Sequence, residues 1–169
     1  MPMSADITIR RAEERDVPAL GRLGAALMRT HYAFDERRFL PPGKDAESGY
    51  ARFLGSQMGA TDTLLMVAEQ AAPDAGAGIV GYVYAGIEPL SWKELRDEAG
   101  FVHDLLVTPA ARHLGVGQRL LDSAIGWLRE QGMPRVVLWT ATPNDSARRL
   151  FEGRGFRSTM VEMTLELEE

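Results

Sequence analysis

The sequence predicts an α/β fold in which one mixed β-sheet is flanked by helices. Strand-like runs with a two-residue period take turns with helical stripes of about 3.6-residue period. Runs in the middle of the chain follow one another without an intervening helix, which favours antiparallel pairing. The last third alternates strand, helix, strand and helix, which favours parallel pairing. At 169 residues the chain fits one domain, 7–167, behind a flexible N-terminus at 1–6.

Ile7 to Arg10 alternates apolar and polar residues and reads as the first strand. A helix opens at Asp16, because Val17, Leu20, Leu23, Leu27 and Met28 fall on one stripe and Pro18 suits a first turn. Thr30 to Pro42 reads as irregular, rich in aromatic and charged residues, with Pro41-Pro42-Gly43 closing it. A second, weaker helix covers Asp45 to Met58. Leu64 to Ala68 and Ile79 to Ile87 are strand runs around the turn-rich Ala72 to Gly78, hence an antiparallel hairpin. Trp92 to Gly100 is a polar connector, and Phe101 to Val107 is a strand ending at Thr108-Pro109. Gly115 to Gln131 is the clearest helix. Leu120, Leu121, Ala124, Ile125 and Leu128 line one face of it, and Gly132 and Pro134 stop it. Val136 to Thr140, Asn144 to Glu152 and Met160 to Leu167 follow as strand, helix and strand.

Hydrophobic residues make up 45% and charged residues 25%, the balance of a globular protein. No apolar run is long enough to span a bilayer, and Met1 to Asp6 lacks the basic and apolar regions of a signal peptide. Cysteine is absent, which excludes disulfides, cysteine nucleophiles and thiolate metal sites and agrees with a reducing compartment. The expectation is a cytoplasmic protein with no metal and no membrane partner. A net charge of −5 argues against nucleic acid. Positive charge still gathers at Arg112, His113 and Arg119 and again at Arg148, Arg149, Arg154 and Arg157, which suits either a bound anion or a solvated face.

The chemistry-bearing stretch runs from Phe101 to Leu121. An apolar strand enters a short loop, and the loop enters a strong helix at Gly115-Val116-Gly117. The first N–H groups of a helix have no partner inside it, and the helix dipole adds partial positive charge there. Glycines let a phosphate approach the backbone, and Arg112, His113 and Arg119 add charge, so the turn is a candidate diphosphate cradle. A glycine turn needed only for tight strand–helix packing is the competing explanation. A P-loop would need Lys and then Ser or Thr where Gln118-Arg119 stand. A dinucleotide-binding fingerprint would need an acidic residue closing the next strand, where Trp139-Thr140 stand.

Val107-x-Pro109-x-x-Arg112-x-x-Gly115-x-Gly117 resembles the acetyl-CoA-binding motif of the GCN5-related N-acetyltransferase family. Asn144, Ala147, Leu150, Phe151, Gly155 and Phe156 resemble the family's later Asn-x-x-Ala-x-x-Leu-Tyr/Phe-x-x-x-Gly-Phe segment. The element order agrees from Ile7 to Leu167. The resemblance implies a sheet of about seven strands with about four helices, acetyl-CoA as cosubstrate, and an amine as acceptor. It also implies that the strands around Val107 and Trp139 splay apart to take the pantetheine arm. The backbone of Leu105, Leu106 and Val107 would pair with that arm. Arg112, His113, Leu114, Gly115, Val116, Gly117 and Gln118 would hold the diphosphate. Asn144, Ser146 and Phe151 would lie along the arm, and Arg148 or Arg149 at the 3′-phosphate.

Direct attack by an amine on a thioester needs a neutral amine, a polarised carbonyl and a proton for the leaving thiolate. His103 stands where family members often carry a base, and an imidazole can take a proton near neutral pH. A core histidine bonded to backbone is the alternative. Asp104 is the second candidate, as base or as partner of a cationic acceptor. Neighbouring strand residues face opposite ways, so both serve one pocket only if a bulge intervenes. Phe151 replaces the tyrosine that donates the proton in many members, which leaves Tyr82, Tyr84 and Tyr32 as unranked substitutes. The acceptor pocket implied by the resemblance draws on His31, Tyr32, Phe34, Asp35, Arg37, Arg38 and Phe39, with Tyr84, Glu88 and Trp92 opposite, and suits a small-molecule amine. A CoA-binding regulatory module, or transfer of another acyl group, fits the same motifs. The final strand offers an edge for a homodimer.

Overall fold

The computed structural model describes residues 6–71 and 78–167. Five strands form one sheet in sequence order: β1 (Ile7–Arg11), β2 (Thr63–Gln70), β3 (Gly78–Glu88), β4 (Ala99–Val107) and β5 (Val136–Leu138). The first three junctions are antiparallel and the β4–β5 junction is parallel, the mixed sheet expected from the helix-free middle and the alternating end of the chain. Helices α1 (Val17–Phe34) and α2 (Ala46–Gln57) join β1 to β2. Helix α3 (Val116–Glu130) joins β4 to β5, and α4 (Asp145–Gly153) follows β5.

Two cores show how the sheet is covered. Leu20, Leu23 and Leu54 of α1 and α2 bury against Leu65, Val67, Tyr82 and Tyr84. Leu120, Leu121, Ala124 and Leu128 of α3 bury with Phe151 of α4 against Leu64, Val83, Ala85 and Val102. Odd and even positions of β2 thus serve opposite layers, as the pleat requires. Close approach of α1 to α2 depends on glycine: a methyl group at Gly21 would lie 2.5 Å from the Glu47 carbonyl oxygen. Outside the cores, Arg10 of β1 holds the buried Asp16 carboxylate at 2.7 and 3.0 Å and Glu69 of β2 at 2.7 Å. Burial alone would raise the Asp16 pKa, but the Arg10 fork and the Glu13 backbone N–H outweigh it and hold the value below the usual range.

Three expectations are corrected. The first helix does not end near Thr30 but runs on to Phe34. The Thr30 hydroxyl donates to the Ala26 carbonyl at 2.9 Å, and the helix stops at Asp35, whose side chain accepts from the N–H groups of Arg37 and Arg38. The sheet has five strands among the described residues rather than about seven. Met160 to Leu167 runs through an exposed segment that pairs with no strand, with Met163 and Leu167 89% and 90% exposed. A strand needs a neighbour for its backbone groups, and the short β5 edge takes none of this segment. The expected flexible residues 1–5 and turn residues 72–77 lie outside the described residues. No helix among the described residues is long and apolar enough to cross a membrane.

Candidate active site

β4 positions most of the candidate residues, and a bulge decides which way they face. Tyr84 of β3 lies opposite Asp104, but the next residue, Ala85, lies opposite Val102, so His103 is an extra residue in β4. Val102, Leu105 and Val107 pack on the α3 side and Leu106 on the α1–α2 side. The inserted residue lets His103 and Asp104 line the same cavity although they are neighbours in sequence.

That cavity, about 330 Å³, opens between β4 and the first two helices. Leu27, Met28, His31, Arg38, Phe39, Leu40, Tyr50, His103 and Asp104 line it. The Asp104 carboxylate accepts from the Tyr82 hydroxyl at 2.8 Å and the Tyr50 hydroxyl at 3.2 Å. Burial raises the Asp104 pKa above the usual carboxylate range, and the two tyrosine hydroxyls only partly offset that. Burial together with the Asp104 charge pushes both tyrosines up, so each hydroxyl keeps its proton and remains a donor. Tyr50 reaches Asp104 because Gly24 of α1 leaves room for its ring. The His103 ring is stacked between Tyr84, with centroids 5.0 Å apart, and Phe101, at 5.6 Å. Its Nε2 atom lies 3.0 Å from Glu88 Oε1.

On the other edge of β4, pairing with β5 covers only Gly100, Phe101 and Val102. Leu105, Leu106 and Val107 pair with β3 and have no strand on the β5 side among the described residues. Beyond Leu138 the chain leaves the sheet, and Trp139 stands 75% exposed. The result is a wedge whose wall is a row of backbone donors and acceptors. Beyond the β5 end the Thr140 hydroxyl is buried with no hydrogen-bond partner among the described residues, which leaves it available to an incoming polar group.

At the end of β4 the chain turns through Arg112, whose Nε donates to the Val107 carbonyl at 3.4 Å. His113 (φ 64°) and Gly115 (φ 75°) both adopt left-handed backbone, and Gly115 caps α3. Such a turn before a helix gathers successive N–H groups into an anion-binding concavity. Arg112, His113, Leu114 and Gly115 are exposed there, so an incoming group meets main chain and basic side chains. Val116 is buried in the core instead. A methyl group at Gly117 would make ordinary contacts with Leu150 at 3.4 Å and Val107 at 3.6 Å, so strand–helix packing does not by itself require glycine there. Gln118 lies against Arg154, which also pairs with Asp122 at 2.6 Å.

The remaining expected residues separate. The Asn144 side chain caps α4 by accepting from the Ala147 N–H at 3.3 Å, and Ser146 is exposed on the first turn. Arg148 is half-buried beside Asp145 and Glu152. Phe151 is a core residue packed against Phe156. On the acceptor side, Tyr84 and Glu88 act on His103 rather than lining the cavity, and the Tyr84 hydroxyl donates to Gln57 at 3.1 Å. Tyr32, Phe34 and Trp92 lie outside the lining, Trp92 at 84% exposure. Leu27, Met28, Leu40 and Tyr50 take their place. The α1 stripe gave a signal for Leu27 and Met28, since positions three and four apart from His31 share its face. Nothing in the sequence singled out Tyr50.

A model of the acetyltransferase (GNAT) family matches residues 25–156. A mycothiol acetyltransferase of Beutenbergia cavernae is 38% identical over 71 residues, 41% of this chain and 24% of that protein. The chain thus spans about a quarter of that relative's length. An uncharacterized N-acetyltransferase of Bacillus subtilis is 26% identical over 153 residues, 89% of each chain. Among solved structures, an aminoglycoside N-acetyltransferase in complex with CoA superposes with a TM-score of 0.72 at 18% identity, covering 98% of this chain and 97% of that one. The last similarity is one of fold.

Proposed function

Because this chain belongs to the acetyltransferase (GNAT) family, we propose that it is an acetyl-CoA-dependent N-acetyltransferase and that it acetylates a small primary amine held in the cavity beside β4. The observation that carries this reading is the bulge, which turns His103 and Asp104 toward one cavity next to the open Leu105–Val107 edge. In this reading the backbone of Leu105, Leu106 and Val107 aligns the pantetheine arm, and one N–H of that edge polarises the acetyl carbonyl. Arg112 to Gln118 receive the diphosphate. The Thr140 hydroxyl and Asn144 lie along the arm, and Arg148 at its nucleotide end. The cosubstrate supplies an activated acetyl thioester.

The protein's own part is to bring in an amine and remove its proton. An alkylammonium has a pKa of about 10, so it enters charged. Asp104 attracts it, and the two tyrosine hydroxyls fix the carboxylate's orientation. His103 Nε2–H donates to Glu88 at 3.0 Å, so the other ring nitrogen, Nδ1, accepts the proton and Glu88 stabilises the imidazolium that forms. Attack then proceeds in a ternary complex, and water protonates the thiolate, because the Tyr82 and Tyr84 hydroxyls are committed to Asp104 and Gln57. Incubating the protein with acetyl-CoA and a panel of primary amines tests the reading. Thiol release matched by an acetyl mass increment on the amine supports it, whereas tight CoA binding without thiol release from any amine favours a regulatory module.

The same reading includes a homodimer. Val161, Met163, Leu165 and Leu167 alternate with polar residues and stand 83–90% exposed, the pattern of a segment that has one apolar face and no strand partner among the described residues. A second copy would supply the missing neighbour. Sedimentation of the intact chain against one ending at Thr159 distinguishes a dimer from a monomer. A monomeric intact chain removes this part.

A further inference from the structure

We infer that the acceptor carries a carboxylate as well as its amine, and that Arg38 binds that carboxylate at the mouth of the cavity. The inference rests on the acceptor site proposed above and names the substrate class that fits it. The cavity has two charged ends. On β4 is the Asp104 carboxylate, tied to Tyr50 and Tyr82. On the loop after α1 is the Arg38 guanidinium, whose acidic neighbours are Glu162 and Asp35 rather than Asp104. Between them Leu27, Met28 and Leu40 give an apolar passage. An occupant that satisfies both ends has a cationic amine, an apolar spacer and an anion.

The Arg38 geometry specifies the anion. Its Nε and Nη2 donate to the two oxygens of the Glu162 carboxylate, the second at 2.9 Å, so the guanidinium is already oriented as a fork for a planar carboxylate. Stacking over Phe39, 5.0 Å from guanidinium carbon to ring centroid, fixes its plane. Glu162 itself belongs to the exposed segment after α4 that has no sheet pairing, and its side chain is 59% exposed. It is therefore a carboxylate that a ligand's carboxylate can displace at modest cost. Arg38 selects the acceptor and takes no part in proton transfer, so it is a specificity residue.

The test measures binding to the CoA-loaded protein by titration calorimetry, using ε-aminocaproate against hexylamine and γ-aminobutyrate against butylamine. Each pair differs only in the carboxylate. At least one acid should bind tighter than its alkylamine. Arg38→Met should weaken that acid about ten- to a hundredfold, the range for losing a charge-assisted pair, with little change for the alkylamine. Arg38→Lys should fall between, and Glu162→Gln should tighten the acid by removing its competitor. Equal binding within each pair, a preference that survives Arg38→Met, or no binding of either acid at millimolar concentration overturns the inference. Thiol release with acetyl-CoA in parallel separates the two claims. Arg38-dependent binding without turnover keeps this inference and sinks the small-amine transferase reading, and turnover of amines that ignores Arg38 does the reverse.

Discussion

An alanine at Gly24 ought to have opposite effects in two backgrounds. Gly24 is buried in α1, where alanine would ordinarily add about 1 kcal/mol of stability through helix propensity. Here the added methyl would lie 2.0 Å from Tyr50 Cδ1, 2.3 Å from Cγ and 2.7 Å from Cε1. Carbon–carbon contacts settle near 3.5–4.0 Å, so the ring must retreat by roughly 1.5 Å. A rigid ring on a packed helix cannot do so freely, and overpacking of this kind costs about 1–3 kcal/mol. With the propensity gain set against that cost, the net prediction is that Gly24→Ala destabilises the protein by up to about 2 kcal/mol. It should also pull the Tyr50 hydroxyl off Asp104, since that bond is already 3.2 Å long. With Tyr50→Ala in place the obstacle is gone, and Gly24→Ala should then stabilise by up to about 1 kcal/mol. Urea unfolding of the four proteins of the cycle reads both effects, with the m-value checking that the transition stays two-state. If Gly24→Ala has the same sign in both backgrounds, the argument that Gly24 makes room for Tyr50 is wrong.

Other outcomes follow from the same geometry. His103→Ala should lower the limiting rate at neutral pH, recover part of it at high pH where more amine is already neutral, and leave CoA affinity unchanged; a flat comparison across pH excludes His103 as the base. Glu88→Gln should give a smaller loss of rate with an unaltered KM for the amine, because it acts through the imidazole. Gly115→Ala forces a side chain into left-handed backbone, so stability should fall by about 1–2 kcal/mol and CoA should bind less tightly, both measurable by calorimetry. Asp16→Asn should cost about 2–3 kcal/mol, toward the low side for a buried pair because Glu69 still faces Arg10. Since the Asp16 pKa is held down, its contribution is complete at neutral pH, fades as pH drops through the ordinary carboxylate range and is lost below the depressed value. Unfolding midpoints measured from pH 7 to pH 3 should therefore fall less steeply for the variant.

What the sequence disclosed was what local period and glycine placement encode. The apolar stripe of α3 and the Gly115 cap before it are local features, and the turn they form is where the motif placed it. The possibility of His103 and Asp104 sharing a pocket was also legible as a condition, a bulge, but the bulge itself is set by how β3 and β4 register across the sheet. Tyr50 was invisible for a related reason. Its link to Asp104 joins residues 54 positions apart and depends on the close α1–α2 approach that Gly21 and Gly24 permit. The extent of α1 is not legible locally because Thr30 and the aromatic residues after it have weak helix propensity, which the packing of α2 overrides while the Thr30 and His31 side chains bond back to the Ala26 and Leu27 carbonyls. The strand expected from the alternation of Met160 to Leu167 does not form among the described residues, since period two states which residues share a face and says nothing of where a neighbour comes from.

In the proposed mechanism the wedge between β4 and β5 is the cofactor channel. A crystal structure of the protein soaked with CoA tests that most directly. The pantetheine arm is expected along the backbone of Leu105 to Val107, with the diphosphate on the N–H groups between His113 and Gln118. A wedge closed by repacked side chains, or CoA bound on another face of the molecule, would contradict it.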